Sequence, residues 1–374
     1  MNVLVNLATL KKGGGQNVGL NFLKSLLGNN HNLANYYFVV AKGGEIEFFL
    51  EASIITNYTV VSQNPFRRIL FECFKGGSLL RQQKIDVIYT IFGIGLYPKR
   101  IKQLSGSADS NIFFPEVDFW VHYKGLSRLK KKIIDKYRVK ALKRADAVIF
   151  ENESMMMRSK KLFKLEHTTY IKASIDNRFD KDVLSLKAPK STKKGLFFCG
   201  WQKNKNYELI PFLAKELKNR KIDFHFIITA PIDNSDEHIE FKNNLEIFDV
   251  KDMTSIIGQV KKGEIASLYG QVDFVFLLSK LESFSNNIIE TWFFKRPLIV
   301  ANEEWSKSIC KEAAKYVDRN DVKLIVDAIE ELVKNKEDCK VLVEGGIQEL
   351  ATYPSIDEKT NQELNYIKKI YEAH

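Results

Sequence analysis

Short apolar runs recur along this 374-residue chain, each followed by a longer segment with helical periodicity. In the first half Val3–Leu7, Tyr36–Ala41, Tyr58–Ser62, Val87–Phe92, Asn111–Phe114 and Ala147–Phe150 read as strands, with helices over Val18–Leu27, Pro65–Gln82 and Leu126–Leu142. In the second half Leu196–Gly200, Phe224–Thr229, Leu245–Phe248, Val272–Leu278 and Leu298–Ala301 repeat the theme. Helices are predicted there over Tyr207–Lys218, Ser285–Phe294, Trp305–Lys315, Val322–Lys334 and Asp338–Leu350, and a last one over Thr360–Tyr371. Strands that alternate with helices imply parallel sheets covered on both faces. At about 150 residues per domain the length accommodates two such units. The polar, turn-rich stretch 173–191 is the natural linker. The expected fold is α/β, with two Rossmann-like domains, 1–172 and 173–355, facing each other across a cleft.

Ligands of open parallel sheets bind beyond the carboxyl ends of the strands. The loops in that position carry Gly13-Gly14-Gly15-Gln16, Lys203 and Lys205, Thr229-Ala230-Pro231, and Glu282. The glycine run alone is a weak signal, since a flexible turn reads the same way. The most informative stretch runs from Leu278 to Glu290. Its two carboxylates, Glu282 and Glu290, stand eight positions apart across a strand–loop–helix junction. Between them Ser283, Phe284, Ser285, Asn286 and Asn287 sit where the helix begins. A helix N-terminus offers free N–H groups and a positive dipole end, a ready anion site. A carboxylate one turn further in can accept from sugar hydroxyls beside a bound phosphate. The competing reading is a capping box between Asn287 and Glu290, with Glu290 folded back onto the cap.

This spacing resembles the E-x7-E signature of the retaining, two-domain glycosyltransferases of glycosyltransferase family 4 (glycosyl transferases group 1). Their pattern runs roughly S-x-x-E-G-F-G-x-x-x-x-E, followed by a helix and a G-x-P-hydrophobic strand. Ser279, Glu282, Phe284, Glu290, Pro297 and Leu298–Ala301 fall in register, while Ser283 and Ser285 stand where the family has glycine. The resemblance extends over nearly the whole chain. Gly13–Gln16 matches the family's Gly-Gly loop, and Arg144–Ser154 its A-D-x-V-I-x-x-S step. The stretch 170–176 falls at the domain junction, and Gly195–Gly200 opens the second domain.

The resemblance implies a GT-B fold whose terminal helix, 356–374, crosses back to the first domain. It implies a nucleotide-diphosphate sugar as co-substrate, with no cofactor, and a glycan or lipid-linked glycan as acceptor. Glu290 would then bind the ribose, and Glu282 the donor sugar or its developing positive charge. Gly14, Gly15, Gln16 and the 283–287 turn would line the donor. The family's arginine just after the glycine of the second domain's first strand is Trp201 here, so the diphosphate cation falls to Lys205, with Lys203 next. Glu116, Asp118 and His122 are acceptor-side candidates. In retaining members the departing phosphate takes the acceptor proton, and no protein base is assigned. The Asp-x-Asp at 180–182 lies in the linker rather than at a strand end, so metal-independent transfer is expected. Two alternatives remain: a nucleotide-sugar epimerase on the same scaffold, and a catalytically inactive sugar- or lipid-binding partner.

A net charge of +11 is concentrated between Lys124 and Arg144, where ten basic residues meet one acid, Asp135. Leu126, Leu129, Ile133, Tyr137 and Leu142 thread through them near helical spacing. The plain expectation is a solvated helix with its apolar side packed on its own domain. The sharper one is a face toward anionic lipid or a phosphate-bearing acceptor. Phe66-Arg67-Arg68 is a second basic, apolar stretch. No nucleic-acid module accompanies the charge. Four widely spaced cysteines read as free thiols. With no apolar run of bilayer length and no basic-then-apolar leader, the expected location is the cytoplasm, with peripheral attachment to the inner membrane face.

Overall fold

The computed structural model describes residues 1–11, 13–28, 34–93, 95, 100–175, 182–186 and 192–373. Asp180 and Lys181, with most of the stretch read as linker, lie outside them. The chain divides into two compact units, Met1–Ile175 with Pro354–His374, and Asp176–Tyr353.

The first unit carries strands β1 (Asn2–Asn6), β2 (Asn35–Ala41), β3 (Tyr58–Val61), β4 (Val87–Thr90), β5 (Lys102–Ser107), β6 (Ala147–Phe150) and β7 (Thr168–Tyr170). Its helices are α1 (Gly14–Gly28), α2 (Glu45–Ala52), α3 (Pro65–Leu70), α4 (Gly76–Gln82), α5 (Gly125–Leu142) and α6 (Glu153–Phe163). A π-turn at Phe71–Lys75 joins α3 to α4. The second unit carries β8 (Lys193–Phe197), β9 (Phe224–Ile228), β10 (Thr254–Ile256), β11 (Phe274–Leu277), β12 (Leu298–Ala301) and β13 (Lys315–Val317). Around them run α7 (Ile210–Asn219), α8 (Asp236–Ile247), α9 (Ile265–Gly270), α10 (Asn286–Phe293), α11 (Glu304–Cys310), α12 (Val322–Lys334) and α13 (Lys336–Leu350).

Both sheets are parallel throughout, ordered β3-β2-β1-β4-β5-β6-β7 and β10-β9-β8-β11-β12-β13. In each, the strand order reverses once, between β1 and β4 and between β8 and β11. These switch points leave a crevice at the carboxyl ends of the central strands, which fixes where each unit can hold a ligand.

Three sequence expectations fail, and one strand goes unforeseen, for local reasons. The strand expected at Asn111–Phe114 is a 3-10 turn, Ser110–Ile112, which seats Phe113 against Phe150 at 5.3 Å. The true strand, β5, reads Lys-Gln-Leu-Ser-Gly-Ser and has no apolar run. It is small because it is crowded: a Cβ on Gly106 would stand 1.7 Å from the Ile91 carbonyl oxygen. The strand expected at Leu245–Phe248 is the last turn of α8, where Phe241 and Leu245 bury the same helix face. The helix expected over Trp305–Lys315 stops at Cys310, where Lys311 turns to φ 44° and β13 begins at Lys315.

The last helix, α14 (Ile356–Glu372), belongs to the first unit. A capping box between Ser355 and Glu358 starts it. Leu364, Ile367 and Ile370 join Val3, Val5, Leu23 and Tyr89 in the core. Ser25 Oγ lies 2.6 Å from Asp357 Oδ1. At the centre Lys359, fully desolvated, places Nζ 2.5 Å from Glu151 and 3.4 Å from Glu363. Burial works against its charge, yet the two carboxylates hold its pKa above the ordinary lysine range.

Candidate functional site

At the second unit's switch point the loop after β8 turns back on itself. Trp201 donates its indole N–H to the Pro231 carbonyl at 2.7 Å and stacks on His238, ring centroids 5.4 Å apart. Tyr207 and Phe241 close round the indole. The position where the resemblance has an arginine is therefore an aromatic wall. A 3-10 turn, Lys203–Lys205, follows, and Asn206 takes a left-handed conformation, φ 62°. Asn204 binds the next loop three times: its side-chain amide donates to the Leu281 carbonyl at 3.0 Å, its side-chain oxygen accepts from Leu281 N at 3.2 Å, and its backbone carbonyl accepts from Lys280 N at 2.8 Å. That register brings Lys205 Nζ to 2.5 Å from Glu282 Oε1, with both side chains mostly buried.

The chain then enters α10 through Ser285, which makes no side-chain cap bond. Neither Ser283 nor Ser285 has positive φ, so serine fits this turn without strain. Phe284 packs its ring toward Tyr353. Asn287 donates to the Phe198 carbonyl at 2.8 Å and so fastens the first turn of α10 to the end of β8. Glu290 does not fold back to close a capping box; it accepts from the Tyr269 hydroxyl at 3.0 Å. Desolvation raises its pKa to about 7, although the Tyr269 bond works the other way. Beside these groups lies a depression of about 640 Å³. Trp201, Thr229, Asp233, Gln259, Val260 and Asn287 are among its walls.

The sequence-derived candidates fall into three places. Lys205 and Glu282 form one pair, while Lys203, Asn286, Asn287 and Glu290 lie on the same two loops and the helix they lead into. Gly14, Gly15 and Gln16 start α1 in the first unit, beyond β1. A Cβ on Gly14 would meet nothing within 4 Å, whereas one on Gly19 would strike Leu10 at 2.7 Å. Gly14 thus presents open backbone, and Gly19 serves packing. Glu116, Asp118 and His122 share the loop before α5. Glu116 pairs with Arg158 at 2.6 Å and Asp118 with Arg128, bonds that anchor this loop. The sequence reading missed His238, Gln259, Val260 and Tyr269. Trp201 directly after Gly200 was the available signal, since a large aromatic at a strand end needs partners.

Among the described residues no group of three or more His, Cys, Asp or Glu could hold a metal ion. Among them, too, no helix is long and apolar enough to cross a membrane. The four cysteines are free thiols.

Residues 181–349 match the family model for glycosyl transferases group 1. That segment contains Lys203, Lys205, Glu282 and Glu290. No curated protein matches the chain in sequence. Among solved structures, sucrose-phosphate synthase of Thermosynechococcus elongatus superposes with a TM-score of 0.74 at 13% identity, covering 100% of both chains. A glycosyltransferase from Rickettsia africae gives 0.72 at 16%, covering 100% of this chain and 99% of its own. HepE of Anabaena, solved with UDP and glucose, gives 0.71 at 14%, covering 98% and 99%. The fold is α/β of the GT-B type, built from two Rossmann-like units.

Glu290→Gln separates a ligand role from a structural one. The folded-state pKa is raised, so the protonated carboxyl stabilises the fold at low pH, and this contribution is lost as pH rises through about 7. The variant is therefore expected to melt no earlier than the parent at pH 8, yet to bind nucleotide more weakly. Earlier melting at pH 8 with normal nucleotide affinity would assign Glu290 to the fold alone.

Proposed function

We propose that the chain is a retaining, metal-independent hexosyltransferase that moves a sugar from a nucleotide-diphosphate sugar to a glycan or lipid-linked glycan. The observation that carries this reading is the convergence of Lys205, Glu282, Asn287 and Glu290 at the second unit's switch point. The nucleoside lies in the depression against Trp201, with Glu290 accepting from the ribose. The diphosphate meets the N–H groups that open α10 and the ammonium of Lys205. As the anomeric bond breaks, charge builds on the leaving phosphate, and these donors stabilise it most in the transition state. Glu282 holds Lys205 in position and faces the sugar. The leaving phosphate takes the acceptor proton. The basic first unit suits cell-surface polysaccharide assembly in the cytoplasm, and the free cysteines support a reducing compartment. HepE, whose complexes contain UDP, glucose and UDP-glucose, supports a nucleotide sugar as donor.

A thermal-shift screen of UDP-, GDP- and ADP-sugars tests the donor class. At a hundred times Kd a donor stabilises by about 2.7 kcal/mol, so one nucleotide series is expected to raise the melting temperature. No shift with any nucleotide sugar would sink the reading.

A further inference from the structure

Helix α5 is amphipathic, and it is mounted with its polar side inward. Arg128 pairs with Asp118, and Lys131 lies over the rings of Trp120 and Tyr123 at 4.9 and 5.0 Å. Asp135 accepts from Asn111 at 2.8 Å and from the Trp120 indole at 2.5 Å. Arg138 joins Asp109 to Asp135, at 3.2 and 2.9 Å. These residues span about 80° of the helix surface. The opposite side carries Leu126, Leu129, Ile133 and Tyr137, 76%, 54%, 44% and 51% exposed, within another arc of about 80°. Only at its C-terminal end does the helix bury residues, Ala141 and Leu142. The apolar side thus faces solvent, contrary to the expectation that it packs on its own domain.

Lys130, Lys132, Lys136 and Lys140 are all exposed and border or punctuate the apolar stripe. Asp135, the one acid of the helix, points inward. The outward face therefore combines a narrow apolar ridge with positive charge only. A convex ridge of this kind lies in the headgroup region of a bilayer, its apolar residues dipping between acyl chains while lysines reach the anionic headgroups. A second copy of the same face is a poor partner, because two like-charged ridges repel.

We propose that the outward face of α5 is a docking surface for an anionic lipid bilayer and attaches the first unit reversibly, without a spanning segment. Phe66 and Phe74, also exposed in this unit, are not needed for it. The proposal stands independently of the donor reading. Each basic residue held near an anionic surface contributes on the order of fivefold in partitioning, screened by salt.

The test is co-sedimentation of the full chain with vesicles of phosphatidylcholine alone, or with about one third phosphatidylglycerol, at low and high salt. Binding is expected to the mixed vesicles only, and to be reversed by salt. Leu129→Ser with Ile133→Ser should lower the partition coefficient at least tenfold, since each loses a buried apolar side chain. Lys130→Glu with Lys132→Glu and Lys136→Glu should abolish sedimentation. Both sets change exposed residues, and unchanged melting curves establish that the fold survives. Equal binding to both vesicle types, binding to neither, or binding indifferent to Leu129 and Ile133 overturns the proposal. So does a dimer that the serine variant dissociates while the parent ignores vesicles.

Discussion

Lys205→Ala is expected to lower turnover by about 10²-fold or more while changing donor affinity far less, the scale of losing one positioned charge. Lys205 stands 2.5 Å from Glu282, fixed by the Asn204 bonds that tie its turn to the loop after β11. An ammonium already in place acts with little reorganisation when charge develops on the leaving group. Single-turnover kinetics beside equilibrium donor binding resolve the two effects. A defect confined to binding would make Lys205 a ground-state contact. Normal turnover in Lys205→Ala with a defect in Lys203→Ala would move the role to Lys203. Loss in both Glu282→Gln and Lys205→Ala, without further loss in the double variant, is expected if the pair acts as a unit.

Lys359→Met should destabilise the first unit by about 3–5 kcal/mol, because Glu151 and Glu363 are left buried without their cation. For a unit of this size that is roughly 10 °C in Tm. Burial already raises the pKa of Glu363. Without Lys359 it rises further, so the deficit should shrink as pH falls and the carboxyl takes up a proton. Adding Glu151→Gln and Glu363→Gln to the variant should recover much of the loss. An unchanged melting temperature for Lys359→Met would mean that α14 holds through Leu364, Ile367 and Ile370 alone.

Strands such as β1, β9, β11 and β12 were legible because their apolar runs are long enough to be buried from both sides. β5 was not, because its burial is achieved with Ser105, Gly106 and Ser107, residues small enough for close backbone approach. β10 and β13 are three-residue edge strands with too few side chains to set a period. At the site, position along the chain was readable and pairing was not. Glu290 stood out by spacing, yet its partner Tyr269 lies 21 residues earlier on α9. Asn287 suggested a cap and instead bridges to Phe198, a contact that only the adjacency of β8 and β11 creates. The orientation of α5 was open in sequence, since a helical stripe of Leu, Ile and Tyr does not say which side its neighbours will take. The neighbours that decided it, Asp109, Asp118 and Trp120, are polar or carry a polar edge.

In the proposed reaction the sugar–phosphate bond of a nucleotide sugar is cleaved at the second unit and the sugar is transferred. Following the nucleotide and the sugar together, by NMR of a reaction with the donor found in the thermal-shift screen and a glycan acceptor, tests it most directly. Transfer with retention yields stoichiometric free nucleoside diphosphate and a new glycosidic bond with the donor's anomeric configuration, both forming about 10²-fold more slowly in Lys205→Ala. A sugar that changes configuration while still attached to its nucleotide, or a donor that binds and is never cleaved, would contradict it.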